Sequence, residues 1–258
     1  MSTLAMLRAL QSEDARVAAA VRRCLPAIAR TIEAIVPRYA AGGRLIYVGA
    51  GTSGRLGALD AAEIPPTFGV EQGRVVAVIA GGEKALTQAV EGAEDDAAAA
   101  RRDLAKLNLQ RRDTVVGIAA SGRTPYTVAA VRAAVRRGCL TVAIANVKGS
   151  VLAASAKHAI EPLTGAEAIA GSTRLKAGTA QKMVLNLIST GLMVRQGRIV
   201  DNLMIHVQAT NAKLRARAER ILTTAAGWRG SGGLAKARRA LRESGGDLPR
   251  ALAAARQP

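Results

Sequence analysis

Aromatic residues are scarce in this sequence, which has one Trp, three Tyr and one Phe among 258 residues. Hydrophobic residues nevertheless make up 49% of the chain. The core must therefore be built from the aliphatic side chains of helix and strand faces, which favours an α/β fold over a β-sandwich. The same scarcity leaves no aromatic platform on which nucleic-acid bases could stack.

Cysteines and long apolar runs are also scarce. Cys24 and Cys139 are the two cysteines, and they stand too far apart for the closely paired motifs of metal and redox sites. We interpret both as reduced thiols. No stretch reaches the roughly 18 uncharged apolar residues that a transmembrane helix needs, and no basic patch followed by an apolar run opens the chain. We therefore expect a soluble, cytoplasmic protein with no membrane partner.

Acidic residues are outnumbered, 19 against 37 basic ones, which gives a formal net charge of +18. Such a charge raises the hypothesis of nucleic-acid binding, because basic proteins gain affinity by releasing counterions from phosphate backbones. From Lys213 onward 11 basic residues face 3 acidic ones, so 8 of the 18 net charges lie there. The rest are spread over Ala-rich helices without a helix-turn-helix pattern. Solvated helix faces explain this distribution, and nucleic-acid binding ranks lowest among the alternatives.

Apolar β-rich runs alternate with segments of helical spacing after residue 43, which predicts an α/β fold with a parallel sheet covered by helices on both faces. Before it, two helical stretches are predicted between residues 12 and 41, opened by a Ser12 cap and interrupted near Pro26. The predicted domains are an N-terminal helical segment (1–42), the main domain (43–226) and a small helical C-terminal region or tail (227–258). The predicted strands are 44–50, 75–80, 114–119, 139–145 and 159–162, and the predicted helices after the first strand include 94–107, 125–137, 174–196 and 210–225.

Two turns between a strand and a helix carry small residues, hydroxyl groups and backbone N–H groups, at residues 49–55 and 120–125. Both features suit a phosphate dianion at the start of a helix. The first turn also fits the G-x-G-x-x-G pattern of dinucleotide folds. No acidic residue ends a clear second strand about 20 residues later, as that fold requires. Two similar turns at two strand ends favour a sugar phosphate as the ligand.

The segments GRLIYVGAGTSGRLGALDAAEIPPTFGV, IAGGEKA, EGAEDD, VVGIAASGRTPY, GSTRLKAGTAQKMVLN and NLMIHVQATN follow one another in the order and spacing of the N-acetylmuramic acid 6-phosphate etherases. The chain resembles this family over about residues 3 to 225. The resemblance implies a sugar-isomerase (SIS) domain that works as a homodimer, with no metal and no organic cofactor. It also implies that a D-lactyl ether is split to give N-acetylglucosamine 6-phosphate and D-lactate.

This reaction needs a base at C2 of the sugar, an acid at the ether oxygen and an anchor for the phosphate. The resemblance supplies two carboxylates, Glu63 and Glu94. Matching the family, Glu63 would protonate the departing lactate and Glu94 would handle the C2 proton, although the sequence itself does not order these roles. The alternative for Glu63 is a solvated carboxylate at a helix end, against which stand the whole motif and Pro65-Pro66, expected to fix the following turn. For Glu94 it is an acid that stabilises a helix N-terminus.

Substrate contacts are expected from both turns and from the start of the long helix. The hydroxyl and N–H groups of the turns can surround phosphate oxygens, and the helix start could face the sugar or the lactate carboxylate, with capping and surface charge as its alternative. The expected substrate-binding residues are Gly51, Thr52, Ser53, Gly54, Ser121, Gly122, Arg123, Thr124, Ser172, Thr173 and Lys176.

Three other functions compete with the etherase. A regulatory SIS protein that senses a sugar phosphate, as glucokinase regulatory proteins do, would keep Ser53 and Ser121 but need not keep both glutamates. The second is an isomerase or epimerase that acts on an amino-sugar phosphate. Aldose-ketose isomerases of this fold often use histidine for ring opening, whereas His158 and His206 lie in strand-like or apolar stretches and are interpreted as structural. His206 is also a departure, since the family usually has an acidic residue there. Nucleic-acid binding is the last.

Overall fold

The computed structural model describes residues 1–206 and 212–256. The chain forms two compact units, Met1–Ala62 with Gly73–Leu192 and Glu63–Gln72 with Met193–Pro258. The helices are α1 (Thr3–Asp14), α2 (Val17–Arg23), α3 (Leu25–Ala40), α4 (Gly51–Phe68), α5 (Lys84–Thr87), α6 (Ala97–Lys106), α7 (Pro125–Arg136), α8 (Val151–Ala154), α9 (Lys176–Arg195), α10 (Ala212–Ala225), α11 (Gly230–Glu243) and α12 (Leu248–Ala255). The strands are β1 (Leu45–Gly49), β2 (Val75–Ile79), β3 (Thr114–Ile118), β4 (Leu140–Ile144), β5 (His158–Ile160), β6 (Ile199–Val200) and β7 (Leu203–Met204).

The first unit is built on a five-stranded parallel sheet in the order β2-β1-β3-β4-β5. Every residue of β1, β3 and β4 is buried, as expected for strands covered on both faces. One face, represented by Ile46 and Val115, packs against α6 and α7. On the other face Gly57 of α4 lies directly over Tyr47, where a Cβ would come within 2.9 Å of the tyrosine Cβ. The predicted α/β fold, a parallel sheet between helices, is confirmed.

The second unit has its own small core. The hairpin of β6 and β7 is antiparallel, and α10, α11 and α12 bury Leu222, Ala237, Leu248 and Leu252 against one another. The two basic helices predicted after residue 227 are present, and the hairpin was not predicted. The predicted helix 210–225 is seen from Ala212, and its first two residues lie outside the described residues. The predicted domain limits stay predictions.

The expected starts of α1 and α6 are wrong, both because an upstream side chain caps the helix. The first helix does not start after Ser12, since Ser2 accepts the N–H of Ala5 and starts α1 ten residues earlier. Ser12 instead lies inside α1. The helix predicted from residue 94 begins at Ala97, because Asp96 accepts the N–H of Ala99 at 2.8 Å and ends a short 3-10 turn.

Both cysteines are free thiols, as interpreted from their spacing. Within the described residues, no helix is both long and apolar enough to cross a membrane. No group of three His, Cys, Asp or Glu side chains there could hold a metal ion.

Candidate functional site

The first predicted turn is tighter than the sequence indicated. Strand β1 ends at Gly49 and α4 begins at Gly51, so residues 51–54 are the first turn of the helix and not a loop before it. The start of α4 lies close to the ends of β1 and β2: a Cβ on Gly54 would lie 2.8 Å from the carbonyl oxygen of Gly49 and 2.6 Å from a side-chain carbon of Ile79. Only glycine fits, and the free N–H groups of the first helical turn are thereby held at the strand end.

The second turn, after β3, is held by the segment after β4. Gly122 has a φ of +60°, and a Cβ there would lie 2.3 Å from the Cβ of Ser150. Leu152 donates its N–H to the carbonyl of Gly122 at 2.9 Å. Thr124 precedes α7 without capping it through its side chain, so its half-buried hydroxyl remains available to a ligand. Ser121 Oγ accepts the N–H of exposed Arg123 at 3.3 Å.

The strand order places the two turns side by side. Gly49 at the end of β1 pairs in register with Ile118 at the end of β3. From β1 the chain moves outward to β2, and it then returns to the other side of β1 for β3. In sheets of order 2-1-3-4-5 the ligand crevice lies at this change of direction, outside the carboxyl ends of the strands. Both predicted phosphate turns therefore belong to one candidate site.

Glu94 lies beside the first turn. A cavity of about 200 Å³ is lined by Gly51 and Arg55 from α4 and by the segment that carries Glu94. Glu94 is exposed and sits in the 3-10 turn that follows Gly92. Arg55 donates to the carbonyl of Gln88 at 2.8 Å, which braces this segment against the helix. The structure thus brings together Gly51 and Glu94, which are 43 positions apart in the sequence.

Glu63 is exposed and lies inside α4. Pro65 and Pro66 were expected to fix a turn after it, and that prediction is wrong, because both lie within the helix. Glu63 belongs to the second compact unit and Glu94 to the first.

Thr52 and Ser53 lie against the start of α9. A Cβ on Gly178 would be 3.4 Å from the methyl group of Thr52, and the Ser53 hydroxyl donates to Gln181 at 2.8 Å. Gln181 in turn donates to Asn146 at 3.0 Å. Sequence reasoning missed Gln181 and Asn146. Their signal was present, since Gln181 is a polar residue within the apolar stripe of the long helix and Asn146 follows a buried strand.

Lys176 is buried at the start of α9, where its ammonium group forms an ion pair with Glu13 of α1. The carboxylate of Glu167 accepts the N–H groups of Lys176 and Ala177 at 3.0 and 2.9 Å. That carboxylate caps the helix, which therefore starts at Lys176 and not at residue 174 as expected. Ser172 and Thr173 lie in the turn before it, half-buried and exposed respectively.

A buried carboxylate also escaped the sequence reasoning. Asp60 of α4 accepts hydrogen bonds from Tyr47 of β1 at 2.7 Å and from Ser189 of α9 at 3.0 Å. Burial raises the pKa of Asp60, and the two hydroxyl donors oppose that rise. Burial and the adjacent carboxylate also raise the pKa of Tyr47 well above its usual value. This cluster joins the strand of the first turn to two helices of the site.

Comparisons with known proteins agree on a fold and on a family. The family model for the glucokinase regulatory protein N-terminal SIS domain matches residues 27–135, and that for the SIS domain matches residues 91–190. The N-acetylmuramic acid 6-phosphate etherase of Symbiobacterium thermophilum is 54% identical over 254 residues, which cover 98% of this chain and 83% of that protein. The etherase of Pectobacterium atrosepticum is 52% identical over 252 residues, covering 98% and 82%.

Among solved structures, a phosphoheptose isomerase from Francisella tularensis superimposes with a TM-score of 0.57 at 19% identity, covering 77% of this chain and all of that one. At this identity the likeness shows the fold alone.

Proposed function

Because the chain belongs to the N-acetylmuramic acid 6-phosphate etherase family, we propose that it cleaves the D-lactyl ether of N-acetylmuramic acid 6-phosphate, as a carbon-oxygen lyase of amino-sugar catabolism. The observation that carries the proposal is identity above 50% over 98% of the chain to relatives of that name. The regulatory alternative has a family model in its favour, but that match stops at residue 135. The etherase relatives cover both turns and both glutamates.

Cleavage of the lactyl ether requires proton transfers at C2 of the sugar and at the ether oxygen. An ether at C3 of a sugar is inert until the ring opens, when the C1 aldehyde acidifies the C2 proton. Removal of that proton breaks the C3–O bond, lactate leaves with a proton on its oxygen, and an unsaturated aldehyde remains. Water then adds its oxygen to C3 and a proton to C2. One acid and one base suffice for both halves, with their roles reversed.

Glu63 and Glu94 supply that pair in the proposal. Glu94 takes the C2 proton and later returns one there, and Glu63 protonates the departing lactate and later takes a proton from the attacking water. The cavity that Glu94 shares with Gly51 supports the first assignment. Glu63 is assigned by family resemblance and by its exposed position on α4, the helix that starts at the first turn.

The sugar phosphate is proposed to bind at the carboxyl ends of β1 and β3. Hydroxyl groups and the N–H groups at the helix starts can donate hydrogen bonds to three phosphate oxygens, so the site does not need an unpaired buried cation. The contributing residues would be Gly51, Thr52, Ser53, Gly54, Ser121, Gly122, Arg123 and Thr124. Ser172, Thr173 and Lys176 at the start of α9 would face the sugar or the lactate carboxylate, for which Lys176 must exchange its bond to Glu13.

The test is turnover in water enriched in heavy oxygen. Purified protein is incubated with N-acetylmuramic acid 6-phosphate, and D-lactate and the mass of the sugar product are followed. We expect lactate release with one heavy oxygen entering the sugar at C3. Glu63→Gln and Glu94→Gln should each lower the rate by about 100-fold or more. Glu91→Gln, which changes an exposed carboxylate lining the same cavity, is the matched control and should stay near wild type.

Two outcomes would contradict this function. Tight binding of an unaltered substrate would favour the regulatory module, and lactate release without heavy oxygen in the sugar would exclude elimination followed by hydration.

We further propose that the enzyme is a cytoplasmic homodimer. Family resemblance supports the dimer, as do the apolar side chains of Leu4, Met6 and Leu7, which α1 exposes. Two free thiols and the absence of a disulfide among the described residues are compatible with a reducing compartment. Light scattering coupled to size exclusion measures the mass, and a monomer at working concentration would contradict the dimer.

A further inference from the structure

Two cavities open side by side at the surface formed by α6 and α7. Their volumes are about 350 and 370 Å³, and Arg101 of α6 and Arg136 of α7 line both, so the cavities adjoin at these two side chains. This pair of cavities, the arginine groove, shares none of its described lining residues with the cavity beside Glu94. Five exposed arginines line the groove: Arg101, Arg123, Arg132, Arg136 and Arg137.

The positive charge of the arginine groove is not balanced. Within the described part of the chain, no Asp or Glu lines either cavity. The acids of α6 and of its cap are paired with other residues, Asp96 with Arg102 at 3.2 Å and Asp103 with Lys106 at 2.9 Å. Arg101 is adjacent to Arg102 in the sequence, yet no described residue forms an ion pair with it. Folding alone therefore leaves the charges of the groove uncompensated.

Helix stability explains only part of this pattern. Arg136 and Arg137 lie at the C-terminal end of α7, where the helix dipole favours a cation. Arg123 precedes the same helix, where the dipole disfavours one. Arg132 is one turn before Arg136, a like-charge spacing that destabilises a helix, and it donates to the neutral hydroxyl of Ser155 at 3.2 Å. An anionic ligand would offset both penalties.

The floor of the arginine groove is apolar. Leu104, Leu109 and Ala133 line the first cavity, together with the polar side chain of Asn108. Small-ligand sites have this size and this mixture of apolar walls with a few polar groups. Guanidinium groups bind phosphate through paired hydrogen bonds, and these arginines extend along α7, whose 12 residues span about 18 Å. The groove therefore suits several phosphates joined to an organic group.

The lining also limits the kind of ligand. Proteins that bind single-stranded nucleic acid without sequence preference stack its bases on aromatic side chains. No aromatic residue lines either cavity within the ranges that the structure describes. Inorganic phosphate, in turn, would leave the apolar floor exposed to water. A single organic group that carries a short run of phosphates matches both the floor and the arginines.

We propose that the arginine groove is a binding site for a small organic polyphosphate, such as a nucleoside triphosphate. The phosphates lie across Arg101, Arg132 and Arg136, and the organic group rests on the apolar floor beside Asn108. One end of the groove reaches Arg123 of the second turn, so the experiment substitutes only residues outside that turn. The site is separate from the cavity of Glu94 and does not depend on the proposed etherase activity.

Isothermal titration calorimetry of the full chain with ATP, at an ionic strength of about 0.15 M, tests the site. Arg101→Ala and Arg136→Ala should each weaken ATP about tenfold, because each removes charge-assisted hydrogen bonds to phosphate. Arg102→Ala is the matched control, since Arg102 is exposed at the next position and lines neither cavity. It should stay within about twofold of wild type. All three variants should melt with wild type, because the side chains are exposed.

A second ligand and a second position separate the two parts of the site. Inorganic tripolyphosphate should bind about tenfold more weakly than ATP, because it buries none of the apolar floor. It should still lose affinity in Arg101→Ala. Ala105 is exposed at the wall of the first cavity. Ala105→Glu adds a carboxylate there and should weaken both ligands about fivefold more than Ala105→Gln does, since the two side chains differ mainly in charge.

Four results would overturn the proposal. The first is no binding of ATP to wild type at millimolar concentration. Equal losses in Arg101→Ala and Arg102→Ala would reduce the effect to net charge, and tripolyphosphate as tight as ATP would show that the organic group makes no contact. A single strand of about ten thymidines that binds more tightly than ATP, and that depends on Arg101, would assign the groove to nucleic acid instead.

Discussion

Gly122 offers a sharp test of how the second turn is built. Its φ is +60°, and an added Cβ would lie 2.3 Å from both the Cβ and the hydroxyl oxygen of Ser150. Ser150 is buried and caps α8 by accepting the N–H of Ala153 at 3.1 Å. Gly149 is a matched control, because its φ is +65° but an added Cβ would meet nothing within 4 Å.

Gly122→Ala and Gly149→Ala should both lose about 1 kcal/mol for placing an L-residue in the left-handed region. Gly122→Ala must in addition move Ser150 by roughly an ångström, which disturbs a cap worth about 1 kcal/mol and the packing around it. We expect a total loss of about 2 to 4 kcal/mol. The displaced turn should also lower kcat/KM for lactate release by about 100-fold, because misplacement of this size spoils the alignment of a bound substrate.

Urea unfolding and D-lactate release measure both quantities. Gly149→Ala should unfold about 1 kcal/mol more easily than wild type and keep its activity within about threefold. Equal losses of stability and activity in the two variants would refute the argument, since the crowding against Ser150 would then have no consequence.

Three further predictions follow from the first unit. Asp113→Asn should cost about 2 to 4 kcal/mol, measured by urea unfolding, because the buried Asp113 carboxylate accepts from Arg44 and from backbone N–H groups. Burial raises the pKa of Asp113, but hydrogen bonds from Arg44 bring the net pKa below its usual value. The stability that Asp113 contributes is therefore present above the unfolded pKa of about 4 and is lost as the pH falls below it. A difference in unfolding free energy between the variant and wild type that stays constant from pH 7 to pH 3 would contradict this. Tyr47→Phe should cost about 1.5 to 3 kcal/mol, since buried Asp60 loses a donor, and an unchanged melting temperature would count against this. Glu13→Gln should lower the melting temperature through the buried lysine left without its charge partner, while Asp14→Asn, an exposed neighbour, should not.

The parts of the site that could be predicted are those that a short stretch of sequence specifies. A tight turn from strand to helix is indicated by Gly49, Gly51 and Gly54, and a second such turn is indicated by Ser121-Gly122. The alternation of apolar runs predicted the parallel sheet, and a parallel sheet with turns at two strand ends is enough to predict a ligand crevice. The starts of α1, α6 and α9 were misjudged, because the caps come from Ser2, Asp96 and Glu167, and one of these lies nine residues away from the helix that it caps.

Sequence by itself determined the family, the succession of the five parallel strands, and the two turns, since each depends on residues that are neighbours in the chain. Tertiary structure alone decided that Glu94 shares a cavity with Gly51, and that the hydroxyl of Ser53 faces Gln181, 128 positions further on. Hydrophobic periodicity records which face of an element is buried but not which distant polar group it meets there. The direction of a hydrogen bond depends on that partner, and only packing brings the partner into place.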